Sequence, residues 1–302
     1  MTGPDTTLAL IGAGKMAECL IAGWVEAGFD PRAIAVTNRR NDGRLAELAG
    51  RYGVRAARDK ATVLKGARVV LMAVKPADMA TALEQVAPHL EPGAVVVSVA
   101  AGIRLADMAR RLPGHPHLVR AMPNTASRLR QAVTALCAAP TCSPEASARA
   151  RWLFDQVGAT VEVGEEAFDA VTALSGSGPA YVYLLVEAML EAARDLGLPD
   201  GVARDLAVWT VVGAGSMLRE TGLPPAELRR QVTSPNGTTA AAIAVLEEMA
   251  VPVAVRRAVK RAAARAAELA ALIAGSGTAS PAAPQVPGTP AATARAAAPG
   301  GA

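Results

Sequence analysis

The first half of the chain alternates short, continuous apolar runs with longer segments whose apolar residues recur every three or four positions. The short runs predict β-strands at Thr7–Ile11, Ala33–Thr37, Arg68–Val74, Ala94–Val99 and Leu118–Ala121. The longer segments predict helices at Met16–Ala27, Gly43–Tyr52, Ala77–His89 and Leu105–Arg111. Two further strands, Val133–Leu136 and Thr160–Val163, flank a predicted helix at Pro144–Val157. Such alternation is typical of a parallel sheet wrapped by helices.

Beyond about Gly164 the pattern is helical throughout, and Gly or Pro marks the joints between segments. Helices are predicted at Glu165–Leu174, Gly178–Leu196, Asp200–Thr221, Pro225–Val232, Thr238–Ala250 and Pro252–Ala274. The remaining residues are mainly Ala, Pro, Gly, Ser and Thr with one charged side chain, Arg295. That composition cannot bury a core and predicts a disordered tail.

The composition is 51% hydrophobic and 19% charged, which raises the question of a membrane span. The longest charge-free apolar stretch, Ala170–Val186, is broken by Ser-Gly-Ser-Gly-Pro and cannot cross a bilayer. No basic segment followed by an apolar one opens the chain, so we expect a cytoplasmic protein. Cys19, Cys137 and Cys142 are odd in number and lack zinc-like spacing, which favours a reduced compartment and no metal site.

The net charge of +4 is carried almost entirely by arginine. The arginines are scattered and are not interleaved with aromatic residues, so the sequence predicts no nucleic-acid partner. A mild positive balance suits a small anionic ligand better.

A glycine-rich turn follows the first predicted strand, where residues 8–17 read L-A-L-I-G-A-G-K-M-A. Gly12 permits a tight turn, Gly14 lets the backbone approach a pyrophosphate at a helix N-terminus, and Ala17 lets that helix pack closely on the sheet. The motif alone leaves an ordinary glycine-rich turn open as an alternative. The preceding strand, the following helix and the continuing βαβ pattern favour a Rossmann-type dinucleotide site.

The second predicted strand ends in V-T-N-R-R at 36–40, where an NAD site usually places Asp or Glu for the ribose 2′-hydroxyl. Here Asn38 is followed by Arg39 and Arg40, so two guanidinium groups would attract a 2′-phosphate and no carboxylate would repel it. A solvated pair of surface arginines is the alternative. The sequence therefore predicts NADPH as the coenzyme, with NADH as the second choice.

Four later segments are not explained by a generic dinucleotide fold: A-V-K-P at 73–76, V-R-A-M-P-N-T at 119–125, T-A-L-S-G-S-G-P-A-Y at 172–181 and V-T-S-P-N-G-T-T at 232–239. Together with the glycine-rich turn, they resemble the pyrroline-5-carboxylate reductases in order and spacing, from about residue 7 to residue 273. The resemblance implies NAD(P)H-dependent reduction of a cyclic imine to L-proline. It also implies a helical domain that forms a homodimer, often within a ring of dimers.

The resemblance further places the substrate between the two domains, and together with the motifs above it gives the expected site residues. The expected coenzyme-binding set is Gly12, Gly14, Lys15, Met16, Ala17, Asn38, Arg39, Arg40, Ala73, Val74, Lys75, Pro76, Met122 and Asn124. The expected substrate-binding set is Ser177, Gly178, Asn236, Gly237 and Thr238. Thr239 matches the hydroxyl nearest the ring nitrogen and is the expected catalytic residue.

The chain departs from the family pattern at three positions. Asn236 replaces the first glycine of an SPGGTT-type loop, and because Asn tolerates left-handed backbone angles, we expect the loop shape to survive. Ala126 replaces a proline, which removes a rigid turn but no chemistry. Lys15 stands where Asn is common and could add a phosphate contact.

The residue types point the same way without the resemblance. A Ser-Pro-Asn-Gly-Thr-Thr turn that opens a helix at Thr238 presents free N–H groups for a small carboxylate, although a plain Ser or Thr N-cap gives the same pattern. The helical half contains no histidine, and its long helix at 178–196 contains no lysine. Because ketone reduction usually uses such a proton donor and a protonated imine does not, the residues favour an imine.

These observations predict an α/β fold with a Rossmann-type doubly wound sheet at 1–164, an all-helical substrate and dimerisation domain at 165–274, and a disordered tail at 275–302. The expected function is NADPH-dependent reduction of 1-pyrroline-5-carboxylate to L-proline. Two alternatives stay open: a reductase of a related cyclic imine or a β-hydroxyacid, and a non-catalytic dinucleotide-binding protein.

Overall fold

The computed structural model describes residues 7–275. The first part of the chain forms one eight-stranded sheet. Its strands are β1 (Leu8–Ile11), β2 (Ile34–Thr37), β3 (Arg55–Ala56), β4 (Val69–Met72), β5 (Val95–Ser98), β6 (Leu118–Met122), β7 (Ala132–Ala138) and β8 (Gly158–Glu162). Their order across the sheet is β3-β2-β1-β4-β5-β6-β7-β8. The strand order reverses at β1, which lies between β2 and β4, and the crevice beyond such a reversal is where α/β folds bind ligands.

Helices cover both faces of this sheet. They are α1 (Lys15–Glu26), α2 (Asp42–Tyr52), α3 (Lys60–Leu64), α4 (Met79–Val86), α5 (Leu105–Arg111) and α6 (Pro144–Asp155). Leu8 and Leu10 of β1 pack in one core cluster with Trp24, whereas Ala9 and Ile11 pack in the other. Because successive side chains of a strand point to opposite faces, an all-apolar strand needs two covering layers. The predicted doubly wound sheet is confirmed.

The predicted parallel sheet contains one antiparallel pair, which β7 forms with β6. This strand runs antiparallel to β6, with Val119 opposite Ala138, and β8 then pairs parallel to β7. Only residues 123–131 separate β6 from β7, and a parallel crossover needs a dozen or more residues. β3 and α3 were not predicted, because at two and five residues they are too short to show a period.

The second part of the chain is helical, as predicted. Its helices are α7 (Phe168–Val171), α8 (Gly178–Asp195), α9 (Asp200–Thr221), α10 (Pro225–Gln231), α11 (Thr238–Glu248) and α12 (Val251–Gly275). The single helix expected at 165–174 is instead divided into a 3₁₀ turn, α7 and a π-helical turn at Thr172–Gly176. α12 packs against α7 and this π-helical turn. Apart from Gly275, which ends α12, the predicted tail lies outside the described residues.

Large apolar side chains stay exposed on the helical half, including Leu184 (67% exposed) on α8 and Trp209 (71%) on α9. Within residues 7–275, no single helix is long and apolar enough to cross a membrane. α11 and α12 together meet the same criteria of length and composition, but they are bent by 52° with respect to each other.

Candidate functional site

The turn between β1 and α1 has the shape that the glycine pattern predicts. Gly12 adopts φ 113°, and a Cβ atom there would lie 2.5 Å from the carbonyl oxygen of Ala73, at the end of β4. Gly14 is the N-cap of α1 and makes no side-chain cap bond, while a Cβ atom on it would meet nothing within 4 Å. The N-terminus of α1 therefore faces open space, where its dipole and its free N–H groups suit an anion.

A cavity of about 360 Å³ lies at this turn and is bounded by the carboxyl ends of β1, β2 and β4. The predicted coenzyme residues that line it are Gly12, Gly14, Asn38, Arg39, Arg40, Ala73, Val74 and Lys75. The cavity lining does not include Lys15, Met16, Ala17, Pro76, Met122 or Asn124. Ala17 is fully buried on the core side of α1, and Met16 packs against the same core.

Arg39 and Arg40, here called the arginine corner, lie on a loop that the side chain of Asn38 stabilises. Asn38 donates from Nδ2 to the carbonyl oxygen of Asn41 (2.8 Å), and its Oδ1 accepts from the Asn41 N–H (2.9 Å). Arg39 pairs with Asp78 across the cavity mouth at 3.1 Å. Arg40 is exposed and forms no ion pair within residues 7–275. The cavity thus has cationic groups at the end of β2, where the sequence predicts a 2′-phosphate.

Two residues at this turn, Arg44 and Glu18, were not predicted from the sequence. Arg44 of α2 lines the cavity and donates from Nε to the carbonyl oxygen of Ala13 at 3.0 Å. Its Nη2 pairs with Oε2 of Glu18 at 2.8 Å, and the Glu18 side chain, in the first turn of α1, is only 5% exposed. The hydrogen bond from Arg44 lowers the pKa of Glu18 to about 2. The sequence feature that could have predicted this pair is Glu18 itself, an acidic residue on the otherwise apolar buried face of α1.

The end of β6 contacts the helical half rather than the cavity at Gly12. Asn124 donates from Nδ2 to the carbonyl oxygen of Ser175 at 3.3 Å, and its Oδ1 accepts from the Ala126 N–H at 3.1 Å. The Met122 sulfur lies 3.9 Å from the place where a Cβ atom on Gly176 would stand. Met122 and Asn124 therefore lie beside the π-helical turn that leads directly into Ser177 and Gly178.

The loop with the remaining predicted substrate residues lies before α11. Asn236 adopts φ 57°, so it takes the left-handed conformation that we expected an Asn to tolerate. Gly237 is the N-cap of α11 without a side-chain cap bond, and Thr238 and Thr239 form the first turn. None of these four residues lines the cavity at Gly12. Within one chain, the structure does not bring the predicted substrate loop into the predicted coenzyme cavity.

His115, His117 and the three cysteines lie in partly or fully buried surroundings. His115 and His117 are partly buried and contact Ala94 and Ser143 respectively. Burial raises the pKa of all three free cysteine thiols, which disfavours the reactive thiolate. Within residues 7–275, no group of three or more His, Cys, Asp or Glu side chains could hold a metal ion.

Comparison with known proteins assigns the two halves. A family model described as "Pyrroline-5-carboxylate reductase dimerisation" matches residues 165–269, and one described as "NADP oxidoreductase coenzyme F420-dependent" matches residues 7–102. A pyrroline-5-carboxylate reductase of Corynebacterium melassecola is 40% identical over 255 residues, which cover 83% of this chain and 94% of that protein. This chain belongs to the pyrroline-5-carboxylate reductase family.

Solved structures agree with this assignment. A pyrroline-5-carboxylate reductase of Coxiella burnetii superimposes with a TM-score of 0.80 at 37% identity, covering 88% of this chain and 98% of that one. A pyrroline carboxylate reductase of Plasmodium falciparum, crystallised with NADP bound, shares the fold with a TM-score of 0.80 at 22% identity, covering 89% of this chain and all of that one.

The family assignment explains the exposed apolar side chains. Residues 165–269 match the dimerisation region of the family, and this region contains Leu184 and Trp209. Large exposed apolar surfaces on soluble proteins mark association sites. The helical half is therefore the dimerisation half of this reductase, and its apolar side chains suit burial against a second copy.

Proposed function

We propose that this protein catalyses the NADPH-dependent reduction of 1-pyrroline-5-carboxylate to L-proline. The observation that carries the proposal is the glycine turn at Gly12 and Gly14, open to a cavity with Arg39 and Arg40 at its far corner, in a chain of this family. The curated relative and the Coxiella burnetii structure bear the name of the same reductase. No observation favours a different imine or a hydroxyacid as the substrate.

The residues of the cavity fit a nicotinamide dinucleotide phosphate. A Cβ atom on Gly12 would collide with Ala73, whereas the space beside Gly14 is open, as close approach of a pyrophosphate requires. Arg39 and Arg40 would hold the 2′-phosphate, and Ala73 to Pro76 would lie beside the nicotinamide end. The bound coenzyme supplies the hydride, and the protein supplies position and electrostatics.

The residues of the helical half would hold the substrate. The first-turn N–H group of Thr238 suits its carboxylate, because it lies at the positive end of the α11 dipole, whereas the Gly237 N–H already donates to the Ser234 carbonyl at 3.1 Å. The Thr239 hydroxyl oxygen would accept a hydrogen bond from the protonated ring nitrogen and so orient the imine carbon toward the coenzyme. Ser177 and Gly178 would close the other side of the pocket. The product amine keeps its own proton, so no histidine is required.

A homodimer is part of this proposal. The substrate loop of one chain lies outside its own coenzyme cavity, and the helical half matches a dimerisation model, which together support a site that two copies complete. We further propose that dimers associate into a ring and that the protein resides in the cytoplasm. The three free cysteines support a reducing compartment.

The deciding experiment mixes the purified full-length protein with NADPH and 1-pyrroline-5-carboxylate. We expect a substrate-dependent loss of the nicotinamide absorbance and formation of L-proline, which chromatography identifies. A six-membered cyclic imine and a β-hydroxyacid (the latter with NADP⁺) are the matched alternatives, and faster turnover of either would replace the proposed substrate. Binding of NADPH without any turnover would support the non-catalytic alternative. Light scattering on the same sample measures the oligomer mass.

A further inference from the structure

Arg44 is bound by the protein at each of its guanidinium nitrogens. Nε donates to the carbonyl oxygen of Ala13 (3.0 Å), Nη2 pairs with Glu18 (2.8 Å) and Nη1 pairs with Glu47 (2.7 Å). Its backbone N–H is also held, because it donates to Oδ1 of Asn41, the N-cap of α2, at 2.9 Å. Both the main chain and the side chain of Arg44 are therefore fixed.

The hydrogen bond from Arg44 Nε to the Ala13 carbonyl restrains the glycine-rich turn. Ala13 is the middle residue of the turn, between Gly12 and Gly14, and glycines leave such a segment free to take many conformations. A hydrogen bond to the Ala13 carbonyl removes part of that freedom. It also fixes which way the peptide between Ala13 and Gly14 points, and with it the direction of the Gly14 N–H.

Because Glu18 pairs with the Arg44 guanidinium, Arg44 is suited to support the turn rather than to bind a phosphate. The buried Glu18 carboxylate lies one turn into α1 and also accepts from Arg51 and Tyr52, both at 3.2 Å. The carboxylate balances the Arg44 charge inside the protein, whereas Arg40 stays exposed and forms no ion pair within residues 7–275. Arg44 and Arg40 thus line the same cavity, but Arg44 is paired with a buried carboxylate whereas Arg40 is exposed.

We propose that Arg44 is a positioning residue of the coenzyme site, which holds the Gly12–Gly14 turn in its anion-binding shape by bridging the Ala13 carbonyl to Glu18. The inference rests on the proposed coenzyme of this site. Because NADPH and NADH share the pyrophosphate and differ at the 2′-position, loss of Arg44 weakens both equally. Loss of Arg39 or Arg40 weakens NADPH alone.

The test is Arg44→Lys, measured by the dissociation constants of NADPH and NADH without imine, by coenzyme-induced quenching of protein fluorescence. Lysine keeps the charge but cannot bridge two acceptors in a fixed fork. We expect both dissociation constants to rise about tenfold and by the same factor, with the KM for the imine unchanged. Arg51→Gln is the matched control, since Arg51 also pairs with Glu18 but makes no contact with Ala13, and both dissociation constants should stay within about twofold.

Three results would overturn the proposal. One is an unchanged affinity for both coenzymes in Arg44→Lys. Another is a loss confined to NADPH, which would make Arg44 a direct ligand of the 2′-phosphate. The third is global unfolding of both Arg44→Lys and Arg44→Gln, which would make its role purely structural. Failure of imine turnover would not affect the test, because coenzyme binding is measured without the imine.

Discussion

Arg120, in the middle of β6, forms an ion pair with Glu165, the first residue of the helical half, at 2.9 Å. The Arg120 side chain is only 5% exposed, and its guanidinium lies 4.2 Å from the ring centre of Phe168. The same Glu165 oxygen accepts from the backbone N–H of Leu105, at the start of α5, at 2.6 Å. One carboxylate therefore joins the sheet, a covering helix and the helical half.

Removing this carboxylate should weaken the join between the two halves. We expect Glu165→Gln to lower the free energy of unfolding by about 1–3 kcal/mol, because Arg120 would stay buried without a charged partner. Urea unfolding monitored by circular dichroism measures this. Glu166→Gln, at the exposed neighbouring position, is the control and should stay within about 0.5 kcal/mol of the wild type. Equal stability of both variants would contradict the bridging role.

Gly12→Ala and Gly14→Ala should separate folding from coenzyme binding. At Gly12 the methyl group would strike the Ala73 carbonyl at a positive φ, so we expect a loss of stability of more than about 2 kcal/mol. At Gly14 the methyl group enters open space, so the free energy of unfolding should stay within about 1 kcal/mol of the wild type.

Coenzyme binding by the Gly14→Ala protein is the informative measurement. Its methyl group would stand where the pyrophosphate approaches the backbone, so the dissociation constant of NADPH should rise at least about tenfold in a fully folded protein. Calorimetric titration gives this value. An affinity equal to that of the wild type would mean that the pyrophosphate binds elsewhere.

The double variant Arg39→Ala and Arg40→Ala should change coenzyme preference. Losing charge-assisted hydrogen bonds to a 2′-phosphate should raise the KM for NADPH about 10- to 100-fold and leave that for NADH nearly unchanged. Stability should change by less than about 1 kcal/mol, because the pair between Arg39 and Asp78 is exposed. A preserved preference for NADPH would show that the arginine corner is only a solvated surface.

Thr239→Ala should lower kcat for the imine about 10- to 100-fold, because one hydrogen bond to the reacting ring is lost. The KM for NADPH should not change, since Thr239 does not line the cavity at Gly12. Thr239→Ser keeps the hydroxyl and should restore most of the rate. Equal rates for the Ala and Ser variants would remove Thr239 from the catalytic role.

Glu18 should make the folded state sensitive to acid. Its pKa is about 2 in the folded protein and near 4.5 in the unfolded chain, so the unfolded state binds a proton first as the pH falls. The stability that Glu18 contributes is complete above about pH 4.5 and is lost as the pH falls toward 2. Urea unfolding over this range should show a smaller loss for Glu18→Gln than for the wild type. Parallel curves would contradict the assignment.

Most of the local structure and the kind of chemistry could be predicted from the amino-acid sequence. The all-apolar run Leu8–Ile11 requires cover on both faces, and Gly12 allows a turn that a side chain at this position would block. The left-handed angle of Asn236 also followed from its residue type. These features depend on neighbouring residues and on backbone sterics, which a sequence displays directly.

The relationships between residues that are distant in the sequence depend on tertiary packing. The reversed direction of β7, the buried Arg120–Glu165 pair and the bridge from Arg44 to Ala13 and Glu18 each join segments whose distance the pattern does not encode. The position of Thr239 outside the coenzyme cavity of its own chain likewise depends on tertiary packing. Such contacts form when whole helices and strands pack together. Packing then buries charged residues beside each other that are far apart in the sequence.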